Sequence, residues 1–249
     1  MTALLTLENV SRQFGGLKAV DDVSFAVDKG EIVGLIGPNG AGKTTLINII
    51  TGVHPATSGR VRFEEADITR AKPHQVAQRG LARTFQIVQP FPHMTVIENV
   101  RIALQRARGG SFDFWRSKSV LDDLNERAKV LIADVGLSSV SDWLAVELPY
   151  GRKRALEIAT TLALDPEMLL LDEPTAGMGH EDIERVAQLI KRVAADRTVL
   201  MVEHNLSVVA DLSDHITVLT RGRVLAEGDY DTVSANADVR EAYMGVGHA

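Results

Sequence analysis

Cysteine is absent from all 249 residues, so disulfides, thiol nucleophiles and Cys-ligated zinc are excluded as sources of stability or chemistry. Long apolar runs are missing as well. A membrane-spanning helix needs roughly 20 consecutive apolar residues. The longest runs here, such as Met168 to Leu171, have the length of buried strands. The opening MTALLTLENV has neither the basic start nor the extended apolar run expected of a secretory signal. If the chain acts at a membrane, it is expected to do so through a partner. Excess positive charge is lacking too: 27 Lys and Arg stand against 33 Asp and Glu, a formal net charge of −6. That balance argues against sequence-independent nucleic-acid binding, which relies on many phosphate contacts from Lys and Arg, and no nucleic-acid partner is expected. Neither an internal repeat nor a low-complexity tract is present.

What is present suffices for a sizeable core. Hydrophobic residues make up 45% and charged residues 24%, in keeping with one large domain or one domain with a sub-lobe. Thr6 to Val10, Val23 to Val27 and Arg60 to Phe63 read as short strands, and Glu31 to Ile36 is an apolar run of strand length. From about Pro92 to Leu164 the pattern turns helical, with Val120, Leu121, Leu124, Ala128, Leu131, Ile132 and Val135 at helical spacing and Gly136 placed as a C-cap. Arg108 to Ser119, with Phe112, Phe114 and Trp115, reads as a loop in this lobe. Strand patterns return at Met168 to Leu171 and Thr198 to Val202. Between them Ile183, Val186, Ala187, Ile190 and Val193 share one helix face. Ile216 to Leu219, the turn Arg221-Gly222 and Arg223 to Ala226 read as a hairpin. The expectation is an α/β core interrupted by a helical insert.

Two segments carry chemistry. Gly37-Pro38-Asn39-Gly40-Ala41-Gly42-Lys43-Thr44 satisfies G-x-x-x-x-G-K-[ST]. It follows an apolar strand and opens a helix, the context in which such a loop holds phosphate. The glycines let backbone N–H groups turn inward toward phosphate oxygens, and the helix start presents its positive end to the same anion. Lys43 adds a charge for the β- and γ-phosphates, and the Thr44 hydroxyl suits Mg²⁺, a hard cation. The second segment, Met168 to Leu171, ends in Asp172-Glu173-Pro174. Strand ends of open α/β sheets face the ligand crevice. Asp172 can hold Mg²⁺ there, and Glu173 can orient the water that attacks the γ-phosphate.

With further motifs in one order, the chain resembles an ATP-binding cassette (ABC) ATPase over nearly its whole length. The phosphate loop resembles Walker A, and Leu169 to Glu173 resembles Walker B. Gln86, in Arg83-Thr84-Phe85-Gln86, matches the Q-loop glutamine, and His204, in Met201-Val202-Glu203-His204, matches the switch histidine. Phe14 falls where an aromatic stacks on adenine, with Val20 as a second apolar contact. The resemblance implies a P-loop NTPase (RecA-like) core at about 1–90 and 165–249, a helical subdomain at about 91–164, and an N-terminal antiparallel β region. It implies ATP and Mg²⁺ as cofactors. ATP would contact Asn39, Gly40, Ala41, Gly42, Lys43, Thr44 and Thr45, the metal Thr44, Gln86 and Asp172, and catalysis would fall to Glu173, His204, Gln86 and Lys43.

The family signature, usually Leu-Ser-Gly-Gly-Gln, is altered here to Leu148-Pro149-Tyr150-Gly151-Arg152. Pro149 removes a hydroxyl and an N–H, although proline suits a first helical turn. Gly151 keeps its N–H, and Arg152 brings a charge that can hold phosphate. Tyr150, Gly151 and Arg152 are therefore expected to meet the γ-phosphate held by a partner cassette. Gly179, in Ala176-Gly177-Met178-Gly179, stands where the D-loop has aspartate. Leu-x-Tyr-Gly followed by Arg-x-Leu-Glu-Ile-Ala is similar to ATPase subunits of branched-chain amino-acid importers. So are Met94 to Asn99, the insert near Trp115 and the ending Asp238 to Tyr243, and within that group the chain resembles the larger of the two ATPase subunits. The partners implied are a second ATPase subunit in a homo- or heterodimer, transmembrane permease subunits and, indirectly, a solute-binding protein. The place implied is the cytoplasmic face of the plasma (inner) membrane, as a peripheral subunit. Ile87 to Met94 is expected to border the groove where a permease docks. Importers of urea or short amides, a non-transport ABC ATPase, a P-loop kinase or GTPase, and an ATP-binding module without turnover remain as alternatives.

Overall fold

The structure is a computed structural model that describes residues 3–84, 90–107 and 118–244, without the side chains of 118–122 and 244. Its contacts divide the chain into two compact units: 1–81, 167–174 and 194–249 in the first, 82–166 and 175–193 in the second. The expected boundary at about residue 165 is therefore interrupted. Most of the helix that follows Asp172-Glu173, His180–Ala194, groups with the helical unit, a long-range choice that chain order does not reveal.

The first unit holds two sheets. In one, β1 (Ala3–Phe14) and β2 (Leu17–Asp28) form an antiparallel hairpin from Ala3↔Asp28 to Phe14↔Leu17. Val23, Phe25 and Val27 alternate inward with period two. β4 (Ser58–Phe63) lies on the other side of β1, with Leu5 opposite Phe63 and Leu7 opposite Val61, and β5 (Ala66–Asp67) completes the antiparallel sheet. In the other sheet, β3 (Ile32–Ile36), β7 (Met168–Asp172), β8 (Thr198–Val202) and β9 (His215–Thr220) are parallel neighbours in the order β9-β3-β8-β7. β3 and β8 are buried throughout, which is why they read as unbroken apolar runs. β10 (Arg223–Gly228) returns antiparallel to β9. Arg221 and Gly222 between them have φ of 48° and 80°, as a two-residue type I′ turn requires.

Helix α1 (Lys43–Ile50) is eight residues long, too short to persist alone. Leu46, Ile47, Ile49 and Ile50 are buried to within 1% exposure, each contributing ~1.5–3 kcal/mol. Packing rather than capping thus holds the helix, and its first N–H groups stay available. α2 (Pro73–Gln78) leads to β6 (Leu81–Arg83), in which the chain leaves the first unit. In the second unit α3 (Val96–Ala107), α4 (Lys118–Asp134) and α5 (Tyr150–Leu162) bury Val100, Leu104, Ala128, Ile132, Leu156 and Ile158. α6 (His180–Ala194) buries Val186, Ala187, Ile190 and Val193 of the expected face, while Ile183 is half-buried. α7 (Leu206–Leu212), α8 (Tyr230–Ala235) and α9 (Ala237–Met244) belong to the first unit, and no helix among the described residues is long and apolar enough to cross a membrane.

Tyr243, near the end of α9, has its phenol pushed up to about 12 by burial, against a smaller opposing pull from the backbone N–H of Gly37. That N–H is near enough to be felt, but the hydroxyl closes no hydrogen bond among the described residues. A raised folded-state value means that stability from the neutral phenol is complete below its ordinary value of 10.0 and is lost as pH rises through about 12. Tyr243→Phe cannot ionise. Thermal melts followed by circular dichroism are expected to show the unsubstituted chain losing more stability than this variant between about pH 10 and 12. Parallel losses would remove Tyr243 from the alkaline limb.

Candidate functional site

The site is assembled on the carboxyl ends of parallel strands. Leu35 of β3 is in register with Val202 of β8, and Val202 with Asp172 of β7. The phosphate loop, Asp172-Glu173 and Glu203-His204 therefore leave the sheet at one level, the position where open α/β sheets bind ligands.

The loop needs its glycines for space as much as for conformation. Gly37 has φ 151°, and a Cβ there would lie 2.1 Å from the Leu219 carbonyl oxygen. Gly42 has φ 104°, and a Cβ there would lie 2.4 Å from the Ala19 carbonyl oxygen. Each contact is shorter than a side chain can make, so the backbone is clasped between β9 and β2. Gly42 caps α1 with no side-chain hydrogen bond, leaving the first N–H groups of the helix to an anion. Lys43 is 8% exposed, and its Nζ donates to the carbonyls of Gly37 at 2.6 Å and Pro38 at 3.2 Å. Burial lowers its pKa from the ordinary lysine value, opposed by the charges of Glu173 and then Asp172. A partly desolvated cation thus faces two carboxylates at a loop shaped for phosphate. Asn39, Gly40 and Thr44 are exposed, Thr45 is half-buried and Ala41 is 2% exposed.

Asp172 ends β7 half-buried, and the next residue breaks the strand geometry. Glu173 has φ 46° and is exposed. Its N–H donates to the Val202 carbonyl at 2.9 Å. A non-glycine residue in this region costs about 1–3 kcal/mol, and such strain clusters at functional sites. Here the turn aims a carboxylate out of the strand end.

His204 is reached by a residue that the sequence reading passed over. Glu203 is fully buried, and its carboxylate accepts the N–H of His204 at 3.0 Å and of Asn205 at 3.2 Å. Asn205 in turn caps α7, accepting the N–H of Ser207 at 3.1 Å and Val208 at 3.4 Å. The imidazole stays 60% exposed, with Nδ1 3.8 Å from the Glu203 carboxylate. An acid directly after an apolar strand, the pattern of Asp172, was the available signal. Phe14 is 41% exposed, packed edge-on against His54 at 5.6 Å with the Arg12 guanidinium 4.5 Å above its ring. Val20 departs from expectation. It is 1% exposed in the core beneath the sheet, so it offers no surface to a base.

In the second unit, α5 begins at Tyr150, with Pro149 as its cap at φ −57° and ψ 157°. The proline needs no N–H there, and no side chain caps the helix start. Tyr150 is 56% exposed, Arg152 is exposed and Gly151 is half-buried. A Cβ at Gly151 would lie 2.8 Å from the Asp182 carboxylate oxygen, so a side chain there would have to displace that carboxylate. The motif at Met94 to Asn99 also acquires a physical reason. Thr95 and Glu98 form a reciprocal capping box at the start of α3, with the Thr95 N–H on the Glu98 carboxylate at 2.8 Å. Asn99, 1% exposed, accepts the Phe91 N–H at 2.6 Å and donates to the Phe91 and Thr95 carbonyls. It pins the residues just before α3. Gln86, Ile87 to Gln89 and the aromatic insert at Trp115 lie outside the described residues.

Comparison with known proteins agrees with this geometry. The ABC transporter family profile matches residues 20–176, and that of the branched-chain amino acid ATP-binding cassette transporter matches residues 223–249. The chain is 36% identical to the high-affinity branched-chain amino acid transport ATP-binding protein BraF of Pseudomonas aeruginosa, over 97% of this chain and 98% of that protein. It is 37% identical to LivG of Escherichia coli, the protein of the same description there, with the same coverage. Among solved structures, an ATP-binding cassette of an ABC transporter in its ADP conformation superposes with a TM-score of 0.86 at 34% identity, over 98% of this chain and 100% of that one. A dimeric cassette in a post-hydrolysis state, bound to ADP and Pi, gives 0.74 at 25% identity, over 91% and 98%. A phosphate loop on β3, a strained Walker B glutamate and full-length relatives of this kind lead to one assignment: the chain belongs to the ABC transporter family of ATP-hydrolysing cassettes.

Proposed function

We propose that the chain is the ATP-hydrolysing motor subunit of an importer of branched-chain amino acids. The observation that carries the solute class is the match of residues 223–249 to the branched-chain amino acid cassette profile. That segment covers β10, α8 and α9, outside the nucleotide chemistry common to all cassettes. The subunit would work as a dimer with a second ATPase subunit, docked on permease subunits at the cytoplasmic membrane face and served by a solute-binding protein.

Each residue has a role in this reading. Lys43 exchanges the carbonyls of Gly37 and Pro38 for β- and γ-phosphate oxygens, and the loop N–H groups from Asn39 to Thr45 wrap the same phosphates. Oxygen donors from Thr44, Asp172 and Gln86 fit Mg²⁺, a hard cation that would neutralise charge on the phosphates. Glu173 orients the attacking water, and His204, held by buried Glu203, contacts the γ-phosphate. Phe14 offers its ring to adenine. Tyr150, Gly151 and Arg152 at the open start of α5 meet the nucleotide of the partner cassette. Phosphoryl transfer is mainly positioning and charge stabilisation, which suits a site built from strand ends and helix starts.

The test is ATP hydrolysis by the assembled transporter in lipid vesicles. Leucine-loaded binding protein is expected to raise phosphate release and drive leucine uptake, whereas urea and acetamide leave both at the basal level. Stimulation by urea or acetamide alone would transfer the subunit to the amide importers. Solute-independent hydrolysis with no uptake would end the transport reading.

A further inference from the structure

A cavity of about 200 Å³ lies within the first unit, between the C-terminal helices and the sheet. Its walls include Ile36 of β3, Val209 of α7, Ile216 of β9, Val233 of α8, and Val239 and Tyr243 of α9. They are almost entirely apolar. Two polar residues at the edge are already engaged: the Ser234 hydroxyl donates to the Asp231 carbonyl at 3.1 Å, and Arg240 Nε donates to the Ser234 carbonyl at 2.8 Å. The Tyr243 hydroxyl is different, being buried without a hydrogen-bond partner among the described residues. A buried hydroxyl left unpaired is unfavourable, and native structures seldom keep one without a reason.

We propose that this cavity is a regulatory site for a small apolar molecule carrying one hydrogen-bond acceptor, received by the Tyr243 hydroxyl, and that its occupancy is felt at the phosphate loop. The space is walled by apolar atoms and opens to solvent beside the exposed Leu206 and Tyr230, and about 200 Å³ admits a single ring or a short branched chain with a carbonyl. Nothing in the nucleotide mechanism uses this space.

The link to the loop is one of adjacency on several sides. Ile36 directly precedes Gly37, and the Tyr243 hydroxyl lies beside the Gly37 N–H. Val209 sits on α7, the helix that follows His204. Through Asp238 and Glu241, α9 also borders a separate groove of about 520 Å³ whose other wall is Pro38 to Ala41. A ligand that fixes α9 therefore acts on a helix whose Tyr243 lies beside Gly37 and which faces the loop across that groove. The proposal rests on the loop being the nucleotide site. Ligand and nucleotide would then be coupled, each changing the affinity for the other by the same factor.

The experiment uses the full chain with cyclohexanone as the probe carrying an acceptor and benzene as the probe without one. Methyl NMR reports Ile216, Val209, Val233 and Val239, and a fluorescent ATP analogue reports nucleotide affinity. Cyclohexanone is expected to shift these methyl signals with a millimolar Kd and to change nucleotide affinity by about fivefold or more. Tyr243→Phe should bring cyclohexanone down to the affinity of benzene, and Val233→Phe, which fills the cavity, should abolish both. If Val233→Phe does not fold, the Tyr243→Phe comparison alone decides. Absence of shifts at saturating probe, equal cyclohexanone affinity in Tyr243→Phe, or binding with no change in nucleotide affinity would each overturn the proposal. Nucleotide affinity without probe tests the phosphate loop separately, so the two failures are distinguishable.

Discussion

Glu173→Gln is expected to lower the turnover of ATP by about 10²–10³-fold while nucleotide affinity stays within about twofold, because in the proposed role the carboxylate acts on the water and not on the phosphates. The structure places a charge of the right kind at the end of β7 and holds it in an unfavourable backbone region at φ 46°, with its N–H tied to Val202. Glutamine keeps the size and the turn but loses the basic oxygen that orients and polarises water. The consequence for assembly follows. If nucleotide bridges the phosphate loop of one cassette and the α5 start of another, a cassette that binds without hydrolysing should accumulate as a dimer on a sizing column with ATP. The unsubstituted chain would return to monomer as ATP is consumed. Phosphate release at the unsubstituted rate would remove Glu173 from its role, and loss of binding along with turnover would make its part structural.

How much of this was legible in the sequence depends on whether the signal was local. The phosphate loop, β7 and β8 were legible because central parallel strands are buried on both faces and end abruptly in Gly or acid. The β9–β10 turn was legible because Arg221-Gly222 must take positive φ. The length of β1 and β2 was not. The hairpin continues to Phe14↔Leu17 through Ser11, Arg12, Gln13 and Lys18, where solvent-facing side chains leave no apolar alternation to read. The resemblance puts Val20 beside Phe14 as a second apolar contact to the base, yet pairing opposite Arg12 turns it into the core. Glu203 was overshadowed by its neighbour His204, since a fully buried acid is not anticipated from sequence. Its partners include the backbone N–H groups of His204 and Asn205, which every sequence contains and none advertises. The grouping of α6 with the helical unit depends on long-range contacts and had no local signal at all.

Lys43→Met is expected to abolish measurable ATP binding while leaving the free protein as stable as before or more so, a separation that few lesions in a core site would produce. Removing the cation forfeits charge-assisted hydrogen bonds to the β- and γ-phosphates, each worth roughly 1.5–3 kcal/mol, so Kd should rise by about 10²-fold or more. In the free protein the same cation is a burden. It is 8% exposed, and burial is the largest influence on its pKa, which is lowered against the pull of Glu173 and Asp172. The sign is fixed by linkage: a lysine whose folded-state value is depressed makes the native state bind fewer protons than the unfolded chain. It therefore destabilises the fold at neutral pH and ceases to do so as pH rises toward the ordinary value of 10.5. Methionine retains the apolar stem and drops the charge, at the loss of hydrogen bonds to the Gly37 and Pro38 carbonyls, which water can partly replace. Denaturant unfolding without nucleotide should give equal or higher stability for Lys43→Met at pH 7, and the difference should shrink as pH approaches about 10. Adding nucleotide should reverse the order, because only the unsubstituted chain gains stability by mass action. A variant less stable than the parent in the absence of nucleotide would mean that Lys43 is a structural strut of the loop. Unimpaired ATP affinity would mean that the loop does not hold phosphate through this residue.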